Sequence, residues 1–199
     1  MADFMIAADT ANLAPLCQLL SRLFVAQPDE ALLQSCRQGD DARLLTACQA
    51  EPALALATRH LFDAVAAADV AMLGRAWTLL FSGAGGPATV APYASVFQDG
   101  RLYGAATARM HDLLSGLDMS VAADCLEAPD HIAIQLTLLA VLIGQKDFAA
   151  ADRFRQTELA WVEGFCRLCV IGDPTGFYAG AAELAAAVTQ LKNQGQNAP

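Results

Sequence analysis

The sequence predicts an all-α fold, a single globular helical bundle of roughly nine to eleven helices, on three observations. Apolar residues recur at three- and four-residue spacing in segment after segment, no segment sustains the period-two alternation of a half-buried strand, and helix breakers punctuate the pattern. No motif-length repeat recurs, which sets aside a solenoid. A chain of 199 residues can bury one core without disulfide or metal staples. The expected domain spans residues 1–192, and the polar tail at 193–199 is expected to fray.

Taken in order, Asp9 or Thr10 is placed to cap a first helix whose Leu13, Leu16, Leu19, Leu20, Leu23 and Phe24 share a face, with Pro28 beyond its end. Asp29 caps a short second helix through Leu33 and Cys36, closed by Gly39. Residues 41–49 read as a third, after which Pro52 sits where a first-turn proline is tolerated and a longer helix runs to about Ala68. Asp69 begins the next, whose stripe of Met72, Leu73, Ala76, Trp77, Leu80 and Phe81 is broken at Gly83. Residues 82–92, with three Gly and two Pro, form a loop. Helical patterns follow at 102–114, 148–155, 159–171 and 177–192. The central element lies at 132–143, where only Gln135 and Thr137 interrupt a run of Ile, Ala, Leu and Val. Such a helix belongs in the middle of a bundle. It opens from Glu127-Ala128-Pro129-Asp130-His131, in which Pro129 disfavours helix in the residue before it and Asp130 is suited to capping.

Charge and composition exclude several classes. A net charge of −9, from 21 acidic and 12 basic residues, argues against a nucleic-acid surface, which needs clustered Lys and Arg. It suits a basic partner, and equally serves solubility. Although 55% of residues are hydrophobic, no apolar run reaches the length of a membrane span, so no direct membrane insertion is expected. Met1-Ala2-Asp3-Phe4 lacks a secretory signal's basic start and apolar stretch, so a cytoplasmic location is expected. The cysteines fall within apolar helical patterns and are expected to be reduced and buried.

Glu127, Asp130 and His131 form the strongest polar cluster. An acid beside a histidine is a potential acid–base pair, but no Ser or Cys nucleophile stands at a recognisable turn, and the bland reading is a helix cap with an ordinary first-turn His. Metal binding lacks further ligands at helical spacing. Cys166-Arg167-Leu168-Cys169 has no second pair to make a zinc site, and Gly83-Ala84-Gly85-Gly86 lacks the Lys-Ser/Thr ending of a phosphate loop.

Three stretches together resemble the TorD/DmsD/NarJ family of redox-enzyme maturation chaperones. Trp77-Thr78-Leu79-Leu80-Phe81-Ser82-Gly83 is similar to the family's helix ending in Leu-Phe-x-Gly. Ala91-Pro92-Tyr93-Ala94-Ser95-Val96-Phe97, followed by Leu102-Tyr103-Gly104, resembles its Pro-aromatic-x-Ser-Val-aromatic segment. Glu127-Ala128-Pro129-Asp130-His131 matches its E-x-x-D-H signature. Where many relatives carry His-Leu-x-x-Trp, this chain has Thr157-Glu158-Leu159-Ala160-Trp161. The resemblance implies an all-helical, non-enzymatic chaperone that binds the twin-arginine signal peptide of a molybdenum-containing oxidoreductase precursor, as a monomer or homodimer. It implies signal-peptide contacts from Trp77, Leu80, Phe81, Tyr93, Ser95, Phe97, Gly104, Glu127, Pro129, Asp130 and His131. No metal or cofactor is expected, although some members are associated with GTP. The alternative is a small-molecule hydrolase or nucleotide-binding protein using the Asp130-His131 turn.

Overall fold

The computed structural model describes residues 10–83 and 89–191, and helices make the whole of its regular structure apart from one isolated bridge. A single 3-10 turn, Thr10–Asn12, leads into α1 (Leu13–Val25). There follow α2 (Glu30–Gln38), α3 (Asp40–Cys48), α4 (Pro52–Ala67) and α5 (Val70–Trp77). The second half holds α6 (Ala94–Asp99), α7 (Ala105–Gly116), α8 (Ile132–Gly144), α9 (Phe148–Thr157), α10 (Val162–Gly172) and α11 (Phe177–Gln190).

The caps follow local chemistry. Asp29 and Asp69 each accept a backbone N–H three residues on, at 2.7 Å in both cases, which satisfies a donor left free at a helix start. Asp147 does the same for α9. Pro52 occupies the first turn of α4, where its missing N–H costs nothing. Two expected caps are corrected. The residue before α1 is Asn12, which makes no side-chain cap, and Asp9 lies outside the described residues. At α8 the cap is His131, whose Nδ1 accepts the N–H of Ala133 at 3.1 Å; Asp130 is recruited elsewhere.

Helix α8 is the centre of the core. Ile132, Leu136, Leu138, Leu139, Ala140 and Ile143 are all buried, so the helix has nearly no polar face, as its composition requires. It packs chiefly on α1, while α11 packs on α4 and α10. Its buried polar residue, Gln135, accepts the indole N–H of Trp161 at 2.9 Å. The α4–α11 crossing is close because Gly180 lies on the chain of α4: a Cβ there would stand 2.8 Å from the Leu61 nitrogen.

Helix α5 continues into a wide π-helical turn, Thr78–Ser82, and Gly83 ends it in the left-handed conformation at φ 64°. The chain then returns, and Val90 donates its N–H to the Leu80 carbonyl at 2.8 Å. Part of the expected 82–92 loop, residues 84–88, lies outside the described residues, as does the tail at 193–199. The expected 159–171 helix begins later, at Val162. All six cysteines are free. Burial pushes the Cys166 thiol up to about 11, so the Cys-x-x-Cys pair is not a reactive thiolate site.

Candidate functional site

The residues singled out in the sequence fall into two adjoining clusters. The first is a column of rings through the core. Phe97 packs on Trp161 at 5.1 Å between centroids, Trp161 on Phe165 at 5.7 Å, Phe165 on Phe81 at 6.1 Å, and Phe81 on Trp77 at 6.1 Å. Leu80 and Phe81 are buried. Offset and edge-to-face rings at these separations add about 0.5 to 1.5 kcal/mol per pair beyond burial. Leu80 and Phe81 therefore act as packing residues, in contrast to the expectation that they line an open groove, while Trp77 is half-buried against them. The Trp77 indole N–H is buried with no hydrogen-bond partner.

The second cluster is built by the turn before α8. Tyr93 and His131 form an isolated antiparallel bridge, in which Ile132 donates to the Pro92 carbonyl at 2.9 Å and Ala94 to the Asp130 carbonyl at 3.1 Å. The Asp130 side chain is wholly buried. Its Oδ2 accepts the Ser95 N–H at 2.8 Å and its Oδ1 the Thr107 hydroxyl at 2.8 Å. One carboxylate thus ties the start of α6, the first turn of α7 and the entry to α8 together. Ser95 is buried with it. The expectation that Asp130 meets basic groups of a ligand is corrected on this ground: neither oxygen reaches solvent.

Gly104 is likewise structural, because a Cβ there would overlap the Asp99 carboxylate, which accepts the Ala106 N–H at 2.9 Å and so caps α7. His131 is buried at 2% exposure. Burial, opposed by the nearby Glu127 and Asp130 charges, lowers its pKa from 6.5 to about 4. Its ring stands edge-on to Tyr93 at 5.0 Å. The neutral imidazole this implies is also the form whose Nδ1 accepts the cap hydrogen bond. Tyr93 donates its hydroxyl to Glu127, and burial, followed by that bond, raises the phenol's pKa.

Glu127 and Pro129 remain partly exposed, and they open onto a groove. A hollow of about 340 Å³ is lined by His111, Leu114, Met119, Val121, Cys125, Glu127 and Pro129 among others. Sharing Leu114, Met119, Val121 and Cys125 with it, a second hollow of about 280 Å³ runs inward to Val25, Ala133, Ile134 and Leu138. The groove is thus apolar at one end and carries a carboxylate at the other. Among the described residues, no Lys or Arg lines either hollow. Between Arg109 and Lys146 the chain has no Lys or Arg, but carries Asp112, Asp118, Asp124, Glu127 and Asp130. By contrast, the open hollow of about 570 Å³ beside α5 is lined by Arg75. Trp77, Leu80 and Phe81 are absent from the walls of the groove.

Sequence reasoning missed the walls at 114–125. The signal was present in the acidic run without a cation, interleaved with Leu117, Met119, Val121 and Leu126.

Fold and groove define an all-helical protein with an apolar cleft that carries one carboxylate, Glu127, at its edge. Residues 47–167 match the family described as nitrate reductase delta subunit, and the chain belongs to that family, the TorD/NarJ group. It is 37% identical over 112 residues to the chaperone protein TorD of Vibrio cholerae serotype O1, covering 50% of this chain and 51% of that protein. To TorD of Vibrio atlanticus it is 33% identical over 117 residues, covering 52% and 54%. The chain spans about half the length of the curated relatives it matches. In fold it is similar to the crystal structure of a candidate redox enzyme maturation protein from Archaeoglobus fulgidus, with a TM-score of 0.57 and 21% identity over 87% of this chain and 90% of that one.

Proposed function

We propose that this protein is a cytoplasmic maturation chaperone that binds the twin-arginine signal peptide of a molybdenum-containing oxidoreductase precursor during cofactor insertion. The single observation that carries the reading is the groove at 114–138, apolar within and edged by Glu127, in a stretch of chain free of Lys and Arg. Membership of the family and the printed name of the TorD relatives support it.

A signal of this class joins a cationic start to an apolar helix-forming segment. The hollow beside Val25, Ile134 and Leu138 suits the apolar part, and each Leu or Phe buried there contributes roughly 1.5 to 3 kcal/mol before ordering costs. Glu127 suits the cationic part, since a carboxylate–guanidinium bond is charge-assisted. The surrounding carboxylates act at longer range and raise the rate of encounter. Among the described residues no helix is long and apolar enough to cross a membrane.

An acid–base enzyme built on the Asp130-His131 turn is disfavoured by the bonds already made. Asp130 is held by Ser95 and Thr107, and His131 Nδ1 by Ala133.

The test is calorimetric titration of a twin-arginine peptide into the parent protein and Glu127→Gln. Micromolar binding weakened about tenfold by the substitution is expected, from the worth of a charge-assisted bond. No heat of binding with the parent protein would defeat the proposal.

A further inference from the structure

A further hollow, of about 460 Å³, adjoins the groove and is lined by Pro15, Gln18, Arg22, Asp40, Asp41 and Leu44, together with Ser21 and Thr137. The last two also line the apolar hollow of the groove. They face each other from α1 and α8, with their hydroxyl oxygens 2.9 Å apart. Among the described residues 132–143 of α8 only Thr137 is exposed, so the most apolar helix of the chain meets solvent chiefly there. The single hydroxyl proton of Thr137 goes to the Ala133 carbonyl at 2.9 Å. Ser21 therefore donates across the gap, and its oxygen keeps lone pairs for an incoming N–H. On α1, Pro15, Gln18, Arg22 and Val25 follow at three- and four-residue spacing and share one face, from this hollow at Pro15 to the apolar one at Val25. Ten residues of helix span about 15 Å, room for roughly four or five residues of extended peptide. The charges around the further hollow are matched. Arg22 holds the buried Asp41 at 2.5 Å, and Arg43 holds Asp40 at 2.6 Å. A ligand there meets the Gln18 amide, the Ser21 oxygen and the apolar sides of Pro15 and Leu44.

We propose that this hollow is a second compartment of the peptide site, taking the uncharged segment of small and polar residues that follows the apolar stretch of a leader. This rests on the reading of the groove as a peptide site. A leader passes from a basic start through an apolar stretch to a run of small residues. The three hollows repeat that order, with Glu127 at the first, Val25, Ile134 and Leu138 at the second, and hydroxyls, an amide and matched charges at the third. The peptide therefore lies with its basic end at Glu127 and its later residues along α1 from Val25 toward Pro15. The reverse orientation would set the basic start against charges already paired and leave Glu127 facing an uncharged segment.

The experiment titrates a twin-arginine leader peptide, and the same peptide truncated at the end of its apolar stretch, into the parent protein and Gln18→Trp. Gln18 is exposed, so the larger side chain fills the hollow without entering the core. The truncated peptide is expected to bind the parent protein about three- to tenfold more weakly than the full leader, the worth of one net hydrogen bond. Gln18→Trp is expected to bring the full leader down to the affinity of the truncated peptide and to leave the truncated peptide unchanged. Photo-crosslinking fixes the direction independently of any substitution. A crosslinker placed after the apolar stretch is expected to label residues 15–22, and one placed beside the arginines to label residues 111–129. Equal affinity of the two peptides for the parent protein, no loss for the full leader or equal losses for both peptides in Gln18→Trp, or an exchanged labelling pattern would overturn the second compartment and leave the peptide groove standing. Absence of binding of either peptide by the parent protein would overturn both.

Discussion

At the scale of single residues, the signature turn divides its labour between buried and exposed acids. Asp130 has both oxygens occupied and Glu127 opens on the groove. Asp130→Ala strands the buried Ser95 N–H, and is expected to cost about 2 to 3 kcal/mol in urea denaturation; Glu127→Gln is expected to leave the midpoint within about 0.5 kcal/mol while weakening the peptide. His131 supplies a pH dependence. Its folded pKa of about 4 lies below the ordinary 6.5, so the unfolded chain takes up the proton first. Its contribution is complete above pH 6.5 and is lost as pH falls toward 4, by about 1.4 kcal/mol per unit. Denaturation midpoints measured across that window should fall in the parent and fall less in His131→Asn. The cap at α8 shows why this division was not legible in the sequence. On local chemistry Asp130 is the expected cap, but Ser95 and Thr107, distant in the chain, take its carboxylate and His131 caps α8 instead.

At the scale of elements, contact between helices is set by small residues. A methyl group at Gly180 would meet the backbone of α4 at 2.8 to 2.9 Å, which cannot swing aside as a side chain can. Gly180→Ala is expected to destabilise by about 1 to 3 kcal/mol, read as a lowered thermal midpoint. Gly164→Ala is the contrasting case. Its new methyl group would meet side chains, the Phe97 ring at 3.3 Å and Arg167 Nη2 at 3.9 Å, and the gain in helix propensity of about 0.5 to 1 kcal/mol offsets the shift. Element types were readable because α1 and α5 repeat apolar residues at helical spacing, and α8 is apolar on every face. The π-helical turn at Thr78–Ser82 was not readable, since the returning chain meets it through Val90, which donates to the Leu80 carbonyl.

At the scale of the whole molecule, the all-α class and the family were both legible, whereas the apolar hollow at 114–138 was not. Trp77 and Phe81 suggested an open aromatic wall, but α10 supplies Trp161 and Phe165 and closes the rings into the core. The space they do not occupy opens instead between α7 and α8, beneath the acidic connection at 117–131. Leu126, 94% exposed, stands on that connection. The most direct test of where the ligand sits is backbone amide hydrogen exchange with and without a twin-arginine peptide. Slowed exchange at 114–138, with the outer face of α5 unchanged, is the result this structure predicts; protection confined to α5 and its π-helical turn would contradict it.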